Sequence, residues 1–194
     1  MSETISNPST DKSSDIIPTT SRTRWGSIVA WSLLVIFLGL LAFGLINSKK
    51  GPLQEGSQIK DFTLNTFDGQ VINTADLRGK IIVINIWASW CTTCKVEAAD
   101  LETAWQTYKP TDQVVFLGVD YVDTESKALE YINKYGITYL NGPDLGQKIY
   151  TSFGATGVPE TYVIDQNGKL ASRMIGSFSN LSQIKAMIEP LLSD

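Results

Sequence analysis

Histidine is absent from the 194 residues, and cysteine occurs only twice, as Cys91 and Cys94. Without imidazole the chain lacks the side chain that titrates near neutral pH and the commonest transition-metal ligand. Cysteine–histidine nucleophile pairs, histidine-based zinc catalysis and histidine-assisted copper sites are therefore excluded. Two cysteines also fall short of a structural zinc site of four cysteines, or of three cysteines and a histidine. No metal and no bound cofactor are expected. Charged residues make up 19% of the chain with a net charge of −4, so there is no electrostatic footprint for nucleic acid. What remains is cysteine redox chemistry or a structural bridge, in a chain whose foldable part fits a single core.

Residues 1–24 are rich in Ser, Thr, Pro and Asp and hold no aromatic residue, a composition that cannot bury enough apolar surface to offset ordering entropy. They are expected to form a disordered tail. From Trp25 to Ile46 no residue is charged, and at ~1.5 Å rise per residue this run covers a hydrocarbon core of roughly 30 Å. A transmembrane signal-anchor helix is expected over 25–46, with Trp25 and Trp31 suited to an interfacial belt. A buried core helix would keep a polar stripe, and a cleaved signal peptide would offer a better small-x-small site than Leu45-Ile46-Asn47-Ser48. Basic residues nearly balance, with Lys12, Arg22 and Arg24 before the span and Lys49 and Lys50 after it. The tail is placed in the cytoplasm and the domain outside it, a single-pass protein of the cell membrane, because a tethered CxxC is of most use where disulfides persist.

Beyond a linker at 47–57, residues 58–194 are expected to form one α/β domain. Asp68-Gly69 separates two strand-like pieces, an opening hairpin. Ile81 to Trp87 is a β-branched run without alternation, as expected for a central strand covered on both faces. A helical pattern runs from Cys91 to about Lys109, with Ala98, Leu101, Trp105 and Tyr108 on one face. A second buried strand, Val114 to Asp120, precedes a helix from about Ser126 to Tyr135, so the two strands should be parallel. Asp165-Gln166-Asn167-Gly168 marks a second hairpin, and Leu181 to Leu192 reads as a closing amphipathic helix.

The run Trp90-Cys91-Thr92-Thr93-Cys94 stands where a buried strand enters a helix. There, unpaired N–H groups and the helix dipole favour a thiolate, which makes Cys91 the expected nucleophile. Cys94, one turn on, can resolve a mixed disulfide by attacking Cys91. A stapling bridge is the competing explanation, but so short a loop constrains the unfolded chain little. Metal binding would need two further ligands drawn from carboxylates.

Ile86-Trp87-Ala88-Ser89-Trp90-Cys91-Thr92-Thr93-Cys94-Lys95 resembles the thioredoxin WCxxC signature, and Gly157-Val158-Pro159-Glu160-Thr161 resembles the cis-proline loop of that superfamily. The resemblance covers about Gly56 to Asp194 and is nearest the TlpA/ResA/CcmG group of membrane-tethered thiol–disulfide oxidoreductases. It implies a thioredoxin-like fold, with a central mixed sheet flanked by helices, an N-terminal hairpin and an extra segment around Asp123 to Tyr139. It also implies a redox-active Cys91–Cys94 disulfide, a cis bond before Pro159, and backbone pairing of Val158 with an extended client beside Trp90. The turn position of Pro159 by itself would favour trans.

Glu97 resembles the acid that this group places near the pair. It can shuttle a proton for the resolving thiol, or simply complement the helix dipole. Glu160 can set client charge preference or stand as a solvated carboxylate. Asn85 occupies the place of the buried aspartate of thioredoxins proper, so Glu97 would have to substitute for it. Thr92-Thr93 differs from the usual Gly-Pro or x-Pro dipeptide, and Ala99 stands where a helix-kinking proline is common; these departures leave the redox potential open.

The resulting expectation is an extracytoplasmic enzyme that reduces client disulfides by dithiol exchange and is recharged by a membrane thiol electron donor. Apocytochrome c-like clients are implied by the resemblance. The alternatives are thiol oxidation or general disulfide exchange, a peroxiredoxin-like peroxidase and a copper-handling binding module. A peroxidatic site would carry Thr shortly before the cysteine, whereas Trp87-Ala88-Ser89-Trp90 stands here, and copper would find only two soft ligands.

Overall fold

A computed structural model describes residues 25–48 and 53–192; the expected tail at 1–24 and linker residues 49–52 lie outside the described residues. The chain divides into two compact units, residues 1–49 and 50–194. In the first, helix α1 (Trp25–Ser48) contains 24 residues and no charge, a length of roughly 36 Å at ~1.5 Å per residue. Its described side chains are exposed to a degree that no core helix shows, Trp31 at 67% and Leu40 at 66%. Side chains are described without a break only over 28–44, and among the described residues no helix is long and apolar enough to cross a membrane.

The second unit holds strands β1 (Thr63–Asn65), β2 (Val71–Asn73), β3 (Ile81–Trp87), β4 (Val114–Asp120), β5 (Leu140–Pro143), β6 (Glu160–Ile164) and β7 (Leu170–Ile175). Helices α2 (Thr92–Tyr108), α3 (Glu125–Tyr135), α4 (Lys148–Phe153) and α5 (Leu181–Ile188) pack around them. The main sheet runs β5-β4-β3-β6-β7, parallel across β3, β4 and β5 and antiparallel from β3 through β6 to β7. All seven residues of β3 are buried. Ile81, Val83 and Trp87 enter the layer with Ala98 and Leu101 of α2, while Ile82, Ile84 and Ile86 enter the layer with Leu64, Phe153 and Tyr162. This two-sided burial is why the run shows no polar alternation.

Four expectations shift. Residues 53–57 are not free linker: Leu53 N donates to Phe153 O (3.3 Å) and Gly56 N to Leu170 O (2.7 Å), so the domain starts before residue 58. The closing helix stops at Ile188, because Pro190 has no N–H to continue it and Glu189–Leu191 tightens to a 3-10 turn. β5 and α4 were not apparent in the sequence; β5 is four residues containing Gly142 and Pro143, and α4 is a six-residue helix between left-handed Gln147 and Gly154. Finally, the first hairpin forms its own two-stranded sheet, joined to β5 through Phe67 N to Asn141 O (2.8 Å).

Close approaches require glycine in two adjacent strands, at Gly118 of β4 and at Gly142 of β5, where a Cβ would lie 2.2 Å from Asn65 O. A Cβ on Gly118 of β4 would lie 1.7 Å from Asn141 Oδ1 and 2.9 Å from Trp87 Nε1, the two atoms that make a buried hydrogen bond of 2.9 Å. Gly118→Ala is expected to cost about 2–3 kcal/mol through overpacking and loss of that bond. Denaturant unfolding should show a lower midpoint at unchanged slope.

Candidate redox site at the start of the second helix

β3 ends at Trp87, and Ala88 to Trp90 turn the chain so that Cys91, in an extended conformation, caps α2. The cap is made by sulfur: Cys94 N donates to Cys91 Sγ at 3.0 Å. Cys91 and Cys94 are joined in a disulfide with Cα atoms 5.4 Å apart, and both are nearly buried, at 4% and 1% exposure. When the bond is open, that N–H and the positive end of α2 favour a thiolate at Cys91. Thr93 Oγ1 lies 3.4 Å from the same sulfur.

β6 runs antiparallel to β3, pairing Asn85 with Thr161 and Ile86 with Glu160. The loop before β6 is thereby delivered to the end of the sheet where β3 exits toward Cys91. Within that loop the Val158–Pro159 peptide is cis, and Val158 is half-buried against both hydrophobic layers. Glu160 is not the solvated carboxylate expected, nor is it open to a client. It is 2% exposed, and its Oε1 accepts from Thr156 N (2.8 Å), Thr156 Oγ1 (3.0 Å) and Gly157 N (3.0 Å). Its Oε2 accepts from the Tyr162 hydroxyl, which burial and this carboxylate hold protonated by raising its pKa. Glu160 fastens the proline loop from beneath, because a buried carboxylate has to find donors.

Behind the pair, Glu97 on α2 is 1% exposed. Asn85 Nδ2 donates to its Oε1 at 2.9 Å and Phe178 N to its Oε2 at 2.9 Å. Burial pushes its carboxyl up to about 7, against the opposing effect of those two bonds. Asn85 Nδ2 also donates to Thr161 Oγ1 at 3.0 Å, so a polar chain joins Glu97 to the strand that follows Pro159. The helix-dipole role left open for Glu97 does not account for a carboxylate this deeply enclosed. On the other side of α2 the Tyr131 hydroxyl donates to Cys94 O at 2.9 Å, and its ring stacks on Trp87 at 4.4 Å.

A turn after β4 completes the site. Asp120 is 1% exposed with Oδ1 lacking a hydrogen-bond partner; burial, and then the charge of Asp123, push it up to about 7. Tyr121 N donates to Trp87 O (2.8 Å), Trp90 Nε1 to Val122 O (3.3 Å) and Ser89 N to Asp123 Oδ2 (2.7 Å). Trp90 itself is 56% exposed. Val122 has φ of 47°, a conformation that costs a β-branched residue ~1–3 kcal/mol. None of Asp120, Val122, Asp123, Tyr131 or Thr161 was singled out from the sequence. The only available signal was an aspartate ending a buried strand run, at the end of the sheet where βα loops form sites.

A five-stranded mixed sheet, helices on both faces, a cysteine pair capping the helix after the central strand and a facing cis-proline define a thioredoxin-like fold. Residues 56–173 match the AhpC/TSA family. Over 147 residues the chain is 29% identical to the thiol-disulfide oxidoreductase ResA of Bacillus thuringiensis, covering 74% of this chain and 84% of that protein. It is 38% identical over 121 residues to the thiol:disulfide interchange protein HelX of Rhodobacter capsulatus, covering 61% and 65%. A thiol:disulfide interchange protein of the thioredoxin family from Chlorobium tepidum superposes with a TM-score of 0.65 at 23% identity, covering 72% of this chain and 99% of that one, a likeness of fold. The chain belongs to the AhpC/TSA family and is, within it, a thiol–disulfide oxidoreductase.

Two outcomes test the buried acids. The folded Glu97 carboxyl, at about 7, lies above its ordinary 4.5, so as pH rises the unfolded chain releases this proton first. Its stabilising contribution is complete below about 4.5 and is lost as pH passes through about 7, a change on the order of 3 kcal/mol. Asp120 acts in the same direction. Glu97→Gln should therefore lose less stability between pH 4.5 and 8 than the wild type, as read from denaturation midpoints of the oxidised protein; an unchanged pH slope contradicts the burial argument. Glu160→Ala, which strands four donors, should cost about 3 kcal/mol in the same assay at pH 7.

Proposed function

We propose that the chain is a membrane-anchored, extracytoplasmic reductase of client disulfides. The observation that carries the exchange chemistry is the sulfur of Cys91 capping α2 with Glu97 enclosed one turn beyond Cys94. The uncharged 24-residue α1 supports the anchor, since its exposed apolar side chains would otherwise face water.

In the reduced enzyme the Cys91 thiolate attacks one sulfur of a client disulfide, forming a Cys91–client bond and releasing the other client sulfur as a thiolate that takes up a proton. Cys94 gives its proton to Glu97, and its thiolate then attacks Cys91 Sγ. This step forms the Cys91–Cys94 disulfide and expels the second client thiolate. Two electrons pass from enzyme to client, and a dithiol donor on the membrane restores the reduced pair by the reverse sequence. No bound cofactor enters the scheme. Asn85 and Phe178 keep both oxygens of Glu97 hydrogen-bonded while it is ionised. A client of the apocytochrome c type, with paired cysteines in an unfolded segment, suits a site that pairs with extended chain at Val158.

Cys94→Ser removes the resolving sulfur and should leave a mixed disulfide between Cys91 and the client, identifiable by mass spectrometry of non-reduced adducts. Cys91→Ser should trap nothing, and equal trapping by both variants would contradict the assigned roles. The rate of resolution should rise through pH of about 7 in the wild type and fall ten- to a hundredfold, without that inflection, in Glu97→Gln. A potential of the Cys91–Cys94 couple near about −300 mV supports reduction as the physiological direction, and one near about −120 mV supports oxidation.

A further inference from the structure

Three described residues other than glycine adopt positive φ: Asp112, Val122 and Gln147. Of these only Val122 is β-branched, the side-chain type least compatible with the left-handed region. Glycine or asparagine would meet the same turn geometry without that conflict. Burial does not compensate for it, because Val122 is 46% exposed. An exposed apolar side chain in a disfavoured conformation is costly twice over for folding, and its position gives it a use. Its own carbonyl accepts the Trp90 indole N–H (3.3 Å), and the next residue's carboxylate accepts Ser89 N (2.7 Å). The turn is thus pinned to the two residues before Cys91.

We infer that Val122 is a specificity-determining residue which, with Trp90, forms an apolar shelf beside Cys91 for an apolar side chain flanking the client's cysteine. The inference rests on the exchange activity proposed above and adds a preference to it. In the mixed disulfide the client's cysteine is bonded to Cys91 Sγ, and at ~3.3 Å per residue of extended chain the neighbouring client residue falls beside Trp90. Trp90 stands 56% exposed at that place, with its indole N–H bonded to Val122 O. It directly precedes Cys91 in the chain and is bonded to Val122 O, so both exposed apolar side chains belong to the segment that borders the reacting cysteine. Glycine in place of Val122 would suit the positive φ and remove the isopropyl group.

Two disulfide-linked peptide substrates differing only at the residue beside the cysteine, leucine in one and glycine in the other, test this. The readout is the ratio of their kcat/KM values, which cancels changes in the reactivity of the pair itself. Val122→Gly and Val122→Asn should each lower the leucine-to-glycine ratio by roughly fivefold, through KM more than kcat. Both variants should match or exceed the wild type in thermal midpoint, because the backbone conflict is relieved. A ratio left in place by both substitutions overturns the inference while the exchange activity stands. A fall in thermal midpoint with both variants also overturns it, since Val122 would then be a packing residue. A wild type that turns over neither peptide overturns the exchange activity, and this inference with it.

Discussion

Burying β3 on both faces is the constraint from which the site follows. Side chains from Ile81 to Trp87 fill two separate apolar layers, so the strand has to lie mid-sheet, and its chain can leave only where the two layers end. There the backbone turns at Ala88 to Trp90 and starts a helix, and the first turn of any helix carries N–H groups without partners. A cysteine at the cap meets one of them directly. The placement of Cys91 at the helix cap is therefore a consequence of where a hydrophobic strand is permitted to stop. The antiparallel return of β6 adds the proline loop at that same end without any further device.

The polar atoms admitted to this core form a connected set. Glu97, Asn85 and Thr161 link α2, β3 and β6, and Phe178 N closes the other side of the carboxylate. A buried carboxyl with donors on both oxygens is held ionisable in spite of its surroundings. Glu160 is enclosed in a comparable way yet serves a different end, since all its partners belong to the loop and strand it holds. Two glutamates buried to similar depth thus differ in reach: the oxygens of one join three elements, and those of the other stay within a single loop and strand.

How far the sequence foretold these features depends on the range of the interactions involved. Ile81 to Trp87, the cysteine spacing, Asp68-Gly69 and Asp165 to Gly168 carry their signals within a few residues, and strands, helix start and turns follow from them. The burial of Glu160 could not be read in that way although all its donors lie within four residues, because it is the pairing of β6 between β3 and β7 that encloses this position. Tyr131 meets Cys94 across 37 residues of chain, and Asn141 meets Trp87 across 54; such contacts are set by packing of whole elements. β5 and α4 are short and contain or abut residues that disfavour regular structure, so tertiary contacts decide them. The left-handed Val122 conflicts with its own local preference, and conflicts of that kind surface only in three dimensions.

The first residues of the domain fix where the chain joins the sheet. Gly56 N, Ile59 N and the Gln58 side chain bond to Leu170 and Gly168, and Leu170 N bonds back to Ser57, so the chain enters at the β6–β7 turn. That turn lies at the opposite end of β6 from Glu160 and the proline loop. The leading residues and the cysteine pair are therefore held at opposite ends of β6, so a change where the chain joins the sheet meets the fold far from the sulfurs.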